Sequence, residues 1–319
     1  MKSWLVLAFV AIGLLAQAQL ELPRERLAYI KNTSVVLENL QSKAVQTIAN
    51  SSGAKWFSFT GSRIIIWRDA GLFVSMPPYQ TANVLSISAQ NLEGINSIGE
   101  RLFLAYRRPN SSVLSYQTVL LTTMQNQPSA FFPETSSADG TVFAYRSGNR
   151  IRVLRGSNAE TALEFPESQA LNWGVSPPAL TPNGKGLVFA HNNGTGFSSN
   201  GTSNWQLYVR NLQNRTEKSV LKRNARIPDG IVVSPDGTRA LVSYSEDKKN
   251  TLEIVNLEQG FARTIHQNFL EGVAGAWSSD GRFVLAENIA EGNSEIFFKD
   301  LGGQTLRTIV GGRLGQWIP

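Results

Sequence analysis

Apolar residues in this chain come in short runs separated by turn residues, and helical stripes are hard to find. The clearest stretch runs from Ile227 to Ile265. Its pattern predicts four strands, at 231–233, 240–244, 252–256 and 261–265. Ser234-Pro235-Asp236-Gly237 joins the first two. Proline presets φ at the second turn position, and glycine takes the left-handed conformation at the end.

The unit recurs. Equivalent turns stand at Ser278-Ser279-Asp280-Gly281, Thr181-Pro182-Asn183-Gly184 and Ser137-Ala138-Asp139-Gly140, with weaker copies ending at Gly99 and Gly61. An apolar second strand follows each, at 64–67, 102–106, 142–145, 187–190, 240–244 and 283–286, and a seventh copy lies at 27–30. An Asn/Asp-Leu pair closes the third strand at Asn39-Leu40, Asn211-Leu212, Asn256-Leu257 and Asp300-Leu301. A spacing of roughly 40 residues with four strands per unit predicts an all-β propeller of antiparallel blades. The first unit lacks a first strand. The tail 314–319 resembles 273–278, so it is expected to complete the first blade and close the ring. This gives seven blades. Six is the alternative, because the second and third copies are degenerate.

The Ser-Pro-Asp-Gly turn, the apolar strand after it and the Asn/Asp-Leu turn together resemble the TolB-like (WD-like) β-propeller repeat. The resemblance covers nearly the whole chain after residue 18 and is strongest from Ser137 onward. It implies a propeller in the cell envelope and transfers no partner. Neither the mixed α/β domain that precedes the propeller in TolB nor the hydrolase domain of prolyl oligopeptidases is legible here.

Residues 1–18 read as a signal peptide: Lys2, an apolar run over 4–15 and a small-residue cleavage signal, Ala16-Gln17-Ala18. Residues 19–319 are then expected to be a single propeller domain, periplasmic or secreted, with no transmembrane segment left after cleavage. An uncleaved anchor is the alternative. The chain has no cysteine, which excludes disulfides, thiolate metal sites and a cysteine nucleophile. An exported chain without disulfides suits a bacterial envelope.

The net charge is +6, with basic clusters at Arg146, Arg150, Arg152 and Arg155 and at Lys218, Lys222, Arg223 and Arg226. These are either protective edge charges or a surface for acidic partners. No aromatic-and-basic motif points to nucleic acid. The only histidines, His191 and His266, fall at non-equivalent blade positions, and no Gly-x-Ser-x-Gly elbow is present. Asp139, Asp236 and Asp280 are expected to serve their turns. Trp56, Trp277 and Trp317 read as equivalent first-strand packing residues. No cofactor, metal or catalytic residue is assigned, and the chain is expected not to be an enzyme.

In a four-stranded blade, the first and third turns lie at one end and the second turn at the other. The second turns are long and variable, notably at 107–112, 192–204, 245–250 and 288–293. Insertions gathered on one face of a repeat protein mark a binding face. The candidate residues are Arg107, Arg108, Phe197, Lys248 and Lys249. The expected partner is an envelope protein or glycan docking on a monomer. The alternative is a small-molecule or sugar-processing site in the central channel. Residues 192–204 are expected to form a mobile loop.

Overall fold

The computed structural model describes residues 26–60, 62–85, 87, 90–108, 110, 113–165, 174–246, 249–268, 273–289 and 294–318. The signal peptide over 1–18 and the candidate Lys248 lie outside these residues.

The structure is a seven-bladed β-propeller, each blade a four-stranded antiparallel sheet. Blade 1 holds β1 (Arg26–Lys31), β2 (Ser34–Asn39) and β3 (Val45–Thr47). Blade 2 holds β4 (Trp56–Thr60), β5 (Arg63–Arg68), β6 (Gly71–Ser75) and β7 (Ala82–Leu85). Blade 3 holds β8 (Leu92–Ile98), β9 (Arg101–Arg107), β10 (Leu114–Leu120) and β11 (Gln125–Ser129). Blade 4 holds β12 (Thr135–Ser136), β13 (Val142–Ser147), β14 (Arg150–Arg155) and β15 (Asn158–Glu164). Blade 5 holds β16 (Ala179–Leu180), β17 (Gly186–His191), β18 (Ser203–Asn211) and β19 (Glu217–Ala225). Blade 6 holds β20 (Gly230–Val233), β21 (Arg239–Glu246), β22 (Lys249–Asn256) and β23 (Ala262–Asn268). Blade 7 holds β24 (Val273–Trp277), β25 (Phe283–Asn288), β26 (Glu295–Asp300) and β27 (Thr305–Val310).

The last strand, β28 (Gly312–Ile318), pairs with β1 and supplies the innermost strand of blade 1. The ring therefore closes through the tail, as the repeat pattern requires. A bulge in β28 opposite Tyr29 turns the backbone N–H groups of Leu314 and Gly315 toward blade 7. Both are accepted by the buried carboxylate of Glu287, at 2.6 and 3.2 Å. Burial raises the pKa of Glu287, and the two N–H bonds oppose that rise.

The repeated residues earn their places by hydrogen bonding. Ser234 Oγ donates to Asp236 Oδ1 (2.5 Å) and accepts from the N–H of Arg239 (3.0 Å). Asp236 Oδ1 also accepts from the N–H of Thr238, while Gly237 sits at φ +75°. Burial pushes the Asp236 carboxyl up, but the bonds from Ser234 and Thr238 outweigh it and hold the pKa at about 2. The same turn forms around Ser137/Asp139, Thr181/Asn183 and Ser278/Asp280. The Asn/Asp-Leu signature has a parallel cause. The side-chain oxygens of Asn39, Asn211, Asn256 and Asp300 accept backbone N–H groups of the turns that follow.

Two positional readings need correction. Trp277 and Trp317 are equivalent, each opposite the second residue of the neighbouring strand (Val284 and Leu27). Trp56 is not: it opens β4 opposite Trp67, and Phe59 holds the equivalent place opposite Ile64. A β4 that begins at the tryptophan has the right residue types in the wrong register. His266, just past the fourth strand expected over 261–265, lies within β23.

Six of the seven blade seams are filled by clusters of buried apolar side chains. These lie between blades 1 and 2, 2 and 3, 4 and 5, 5 and 6, 6 and 7, and 7 and 1. The seam between blades 3 and 4 has no such cluster among the described residues. Phe103, Phe131, Phe143 and Tyr145 meet there instead, with ring centroids 4.9–6.1 Å apart.

Candidate binding face

The second turns all lie at one end of the ring, but they are not uniformly long. Blades 1, 2 and 4 have two-residue hairpins at Asn32-Thr33, Asp69-Ala70 and Gly148-Asn149. Blade 6 does not carry the long turn expected over 245–250: β21 and β22 extend until Glu246 pairs with Lys249, because their strand ladder continues into the charged segment. Blades 3, 5 and 7 carry the longer connections, so the variation is concentrated on part of the face.

The candidate residues share this end without forming one cluster. Arg107 and Arg108 belong to blade 3, Phe197 to blade 5 and Lys249 to blade 6. Arg107 is held by a bidentate pair with Glu93, Nε–Oε1 2.7 Å and Nη2–Oε2 3.1 Å. That contact lowers the Glu93 pKa and raises that of Arg107. Arg108 stands exposed, its N–H bonded to the carbonyl of Val113.

The blade 5 loop is more closely hydrogen-bonded than its composition suggests. Ser198-Ser199-Asn200-Gly201-Thr202 repeats the chemistry of the propeller turns. Ser198 Oγ bonds Asn200, and Asn200 Oδ1 accepts from the N–H of Thr202 at 3.1 Å. Ser198 and Thr202 also close a backbone bond at 2.8 Å. Arg226 Nε reaches the carbonyl of Asn200, and the Asn192 side chain accepts from Gly174 and Gly194. Small polar residues cannot build a core, but they can satisfy one another, which composition alone does not reveal. The Phe197 ring lies over Gly174, where a Cβ would come within 2.5 Å of its Cζ. It still remains 46% exposed. Exposed Val113, Leu114, Ile289 and Val310 stand at the same end of the ring.

Between blades 4 and 5 this face opens a cleft of about 230 Å³ lined by Arg146, Asn149, Arg150, Phe165 and Val175. Both arginines are paired, Arg146 with Glu134 and Arg150 with Glu164. Behind Phe165 lies His191, stacked on Tyr208 at 4.5 Å. Burial lowers the His191 pKa to about 4, and its Nδ1 accepts the N–H of Asn193. His191 is therefore neutral and part of the packing at pH 7.

Sequence reading missed a recurrent device of charged residues. Tyr29 and Glu38 of blade 1 meet Arg307 of blade 7. Tyr244 and Glu253 of blade 6 meet Arg223 of blade 5 in the same arrangement, one residue pair further along the strands. In both, a second-strand tyrosine and a third-strand glutamate receive an arginine from the outer strand of the preceding blade. The only signal was a Tyr and a Glu in adjacent strands, two register positions apart, which is too common to stand out.

The channel-side strands are stitched to one another. Gln316 Nε2 donates to the Phe57 carbonyl (3.0 Å) and Asn96 Nδ2 to that of Pro133 (3.0 Å). Ser97 and Ser58 join at 2.5 Å, and the Leu180 N–H donates to Thr135 Oγ1. Trp277 Nε1 donates to the Val232 carbonyl (2.9 Å) and Trp317 Nε1 to that of Ala276 (3.3 Å). No group of three His, Asp or Glu side chains converges as metal ligands would among the described residues.

No protein-family model matches the chain, and no curated protein matches its sequence. Solved structures share the fold. An oligogalacturonate lyase in complex with manganese superposes with a TM-score of 0.64 at 11% identity, over 84% of this chain and 82% of that one. TolB from Acinetobacter baumannii gives 0.57 at 13%, over 97% of this chain and 71% of that one. The Cps50 (Swd1) β-propeller domain of Myceliophteria thermophila gives 0.56 at 12%, over 88% of each. At these identities the likeness establishes the β-propeller fold, which enzymes and non-enzymes share.

Proposed function

We propose that this chain is an exported propeller, without catalytic activity, that docks an envelope protein or glycan on the face carrying the long second turns. The observation that carries this reading is Phe197. A half-exposed aromatic held on a hydrogen-bonded turn is an anchor whose ordering entropy is already lost before a partner arrives. Arg108 and Lys249 add positive charge at the same end, suited to an acidic partner. The stitched inner strands favour this face over the channel, because their polar side chains already bond neighbouring blades.

A photo-crosslinking phenylalanine placed at 197 tests the reading, with the same label at 261 as control. Phe261 is 68% exposed on a third turn, at the opposite end of the ring. The expected result in envelope extract is a discrete adduct from position 197 that is absent from position 261. Equal labelling from both positions, or none from 197, rejects the face.

A further inference from the structure

The seam between blades 3 and 4 differs from the other six in more than its missing cluster. It contains a cleft of about 270 Å³, roughly nine water volumes. Phe103, Phe131, Leu120 and Leu154 give it apolar walls, with Thr118, Gln125, Gln127, Pro128 and Arg101 completing the lining. The register explains the grouping. Arg101 pairs with Leu120 and Leu120 with Gln125, while Phe103 pairs with Thr118 and Thr118 with Gln127. Two cross-strand rows of blade 3 thus look across the seam at blade 4, and no blade 4 side chain fills the space. The cleft opens at the end of the ring opposite the docking face.

Arg101 marks its mouth. Its guanidinium has no ion-pair or hydrogen-bond partner among the described residues. The neighbouring Glu100 is turned to Arg63 at 2.5 Å, and no carboxylate lines the cleft. An apolar slot with aromatic walls, one uncompensated cation and amide groups at its rim is complementary to a molecule with an apolar body and an anionic head. We propose that this seam is a binding site for a small amphipathic organic anion, an aromatic or branched aliphatic carboxylate, with the ring or chain between Phe103 and Leu154 and the carboxylate on Arg101. The site is independent of the docking face.

The test uses probes that share a body and differ in charge: phenylacetate and 2-phenylethylamine, with acetate as the head alone. Binding to the full chain is followed by calorimetry and by ligand-observed NMR. Saturable binding of phenylacetate is expected, with 2-phenylethylamine and acetate at least about tenfold weaker. Arg101→Gln, at an exposed position, is expected to keep the far-ultraviolet spectrum and melting temperature and to weaken phenylacetate by about tenfold. Thr118→Phe fills the slot from within and is expected to abolish binding while the protein stays folded. If phenylacetate does not saturate, or binds Arg101→Gln as well as the parent, the proposal fails. If Thr118→Phe raises the melting temperature and the parent binds nothing, the cleft is a packing void and the proposal fails equally.

Discussion

The seam between blades 7 and 1 and the seam between blades 3 and 4 carry different tasks. The first is crossed by the short connection at Gly311 from β27 to β28, and it borders a blade built from both ends of the chain, in which β28 is held to β1 only by strand pairing. The second joins two blades that are each one continuous segment. The first is nonetheless the better furnished. Leu27, Tyr29, Phe283, Leu285, Ile296 and Phe298 fill it, and Trp317 meets Phe298 edge-on at 5.5 Å. Glu287 grips the bulge of β28, and Arg307 reaches Glu38, whose side chain is 1% exposed. The second seam has a group of aromatic rings, the bond from Asn96 to Pro133 and an unfilled cleft. Blade 1 has no covalent link between β28 and β1, so non-covalent contacts, including those of this seam, must hold its inner strand in place. Blades 3 and 4 each hold all four strands on one continuous segment, so looser packing between them puts no strand at risk of leaving its sheet.

The comparison can be broken most forcefully by deleting 312–318. That removes the inner strand of blade 1, the partner of Glu287 and part of the apolar seam together. Loss of the cooperative thermal transition is expected; an unchanged melt would show that the tail does not close the ring. Trp317→Ala should cost about 2 kcal/mol, less than a fully buried tryptophan, because the indole is only partly covered.

A charge deletion at each seam gives the next largest contrast. Glu38→Ala strips Arg307 and the Tyr29 hydroxyl of a buried partner and should cost about 3 kcal/mol in urea unfolding. Arg101→Ala, at the other seam, should stay within about 0.5 kcal/mol. Equal costs would mean that the two seams are alike in strength.

Hydrogen exchange reads the same contrast without mutation. Amides of β8 and β12 should exchange at least about tenfold faster than those of β1 and β28. The reverse order would place the weak seam elsewhere.

The smallest effects are pH-dependent and have opposite signs. The folded pKa of Glu287 lies above its unfolded value, so its contribution is complete below about pH 4.5 and is lost as pH rises through the folded pKa. Glu287→Gln should flatten that fall. The folded pKa of His191 is depressed to about 4, so its contribution is complete above about pH 6.5 and is lost as pH falls toward 4. His191→Phe should remove that acid-side loss. Stability curves that keep both slopes in the two variants would show that other groups set them.

The blade repeat was readable because its residues act locally. Ser234, Asp236 and Gly237 make their turn within six residues, and Asn256 caps its turn within three. The closing strand was readable because Gly315 and Trp317 repeat Gly275 and Trp277. Trp56 misled because residue type was seen without register. The hydrogen bonds of the blade 5 loop were not readable, because its polar residues satisfy one another through a geometry that composition does not carry.

The candidate face was legible as long second turns in blades 3, 5 and 7 but not as a cluster, since blade 3 lies apart from the neighbouring blades 5 and 6, and the blade 6 turn is a short hairpin. The sequence by itself determined the blades, their turns and the way the ring closes, because each follows from contacts between near neighbours or from a repeated strand. The tertiary structure alone decided how tightly each blade meets the next. It matched Arg307 to Glu38 and Arg223 to Glu253, held Phe197 half in the open, and left the slot between Phe103 and Leu154 unfilled. Those outcomes depend on shapes meeting across blade faces, and no local pattern of residues encodes the fit of two faces that first meet when the ring is complete.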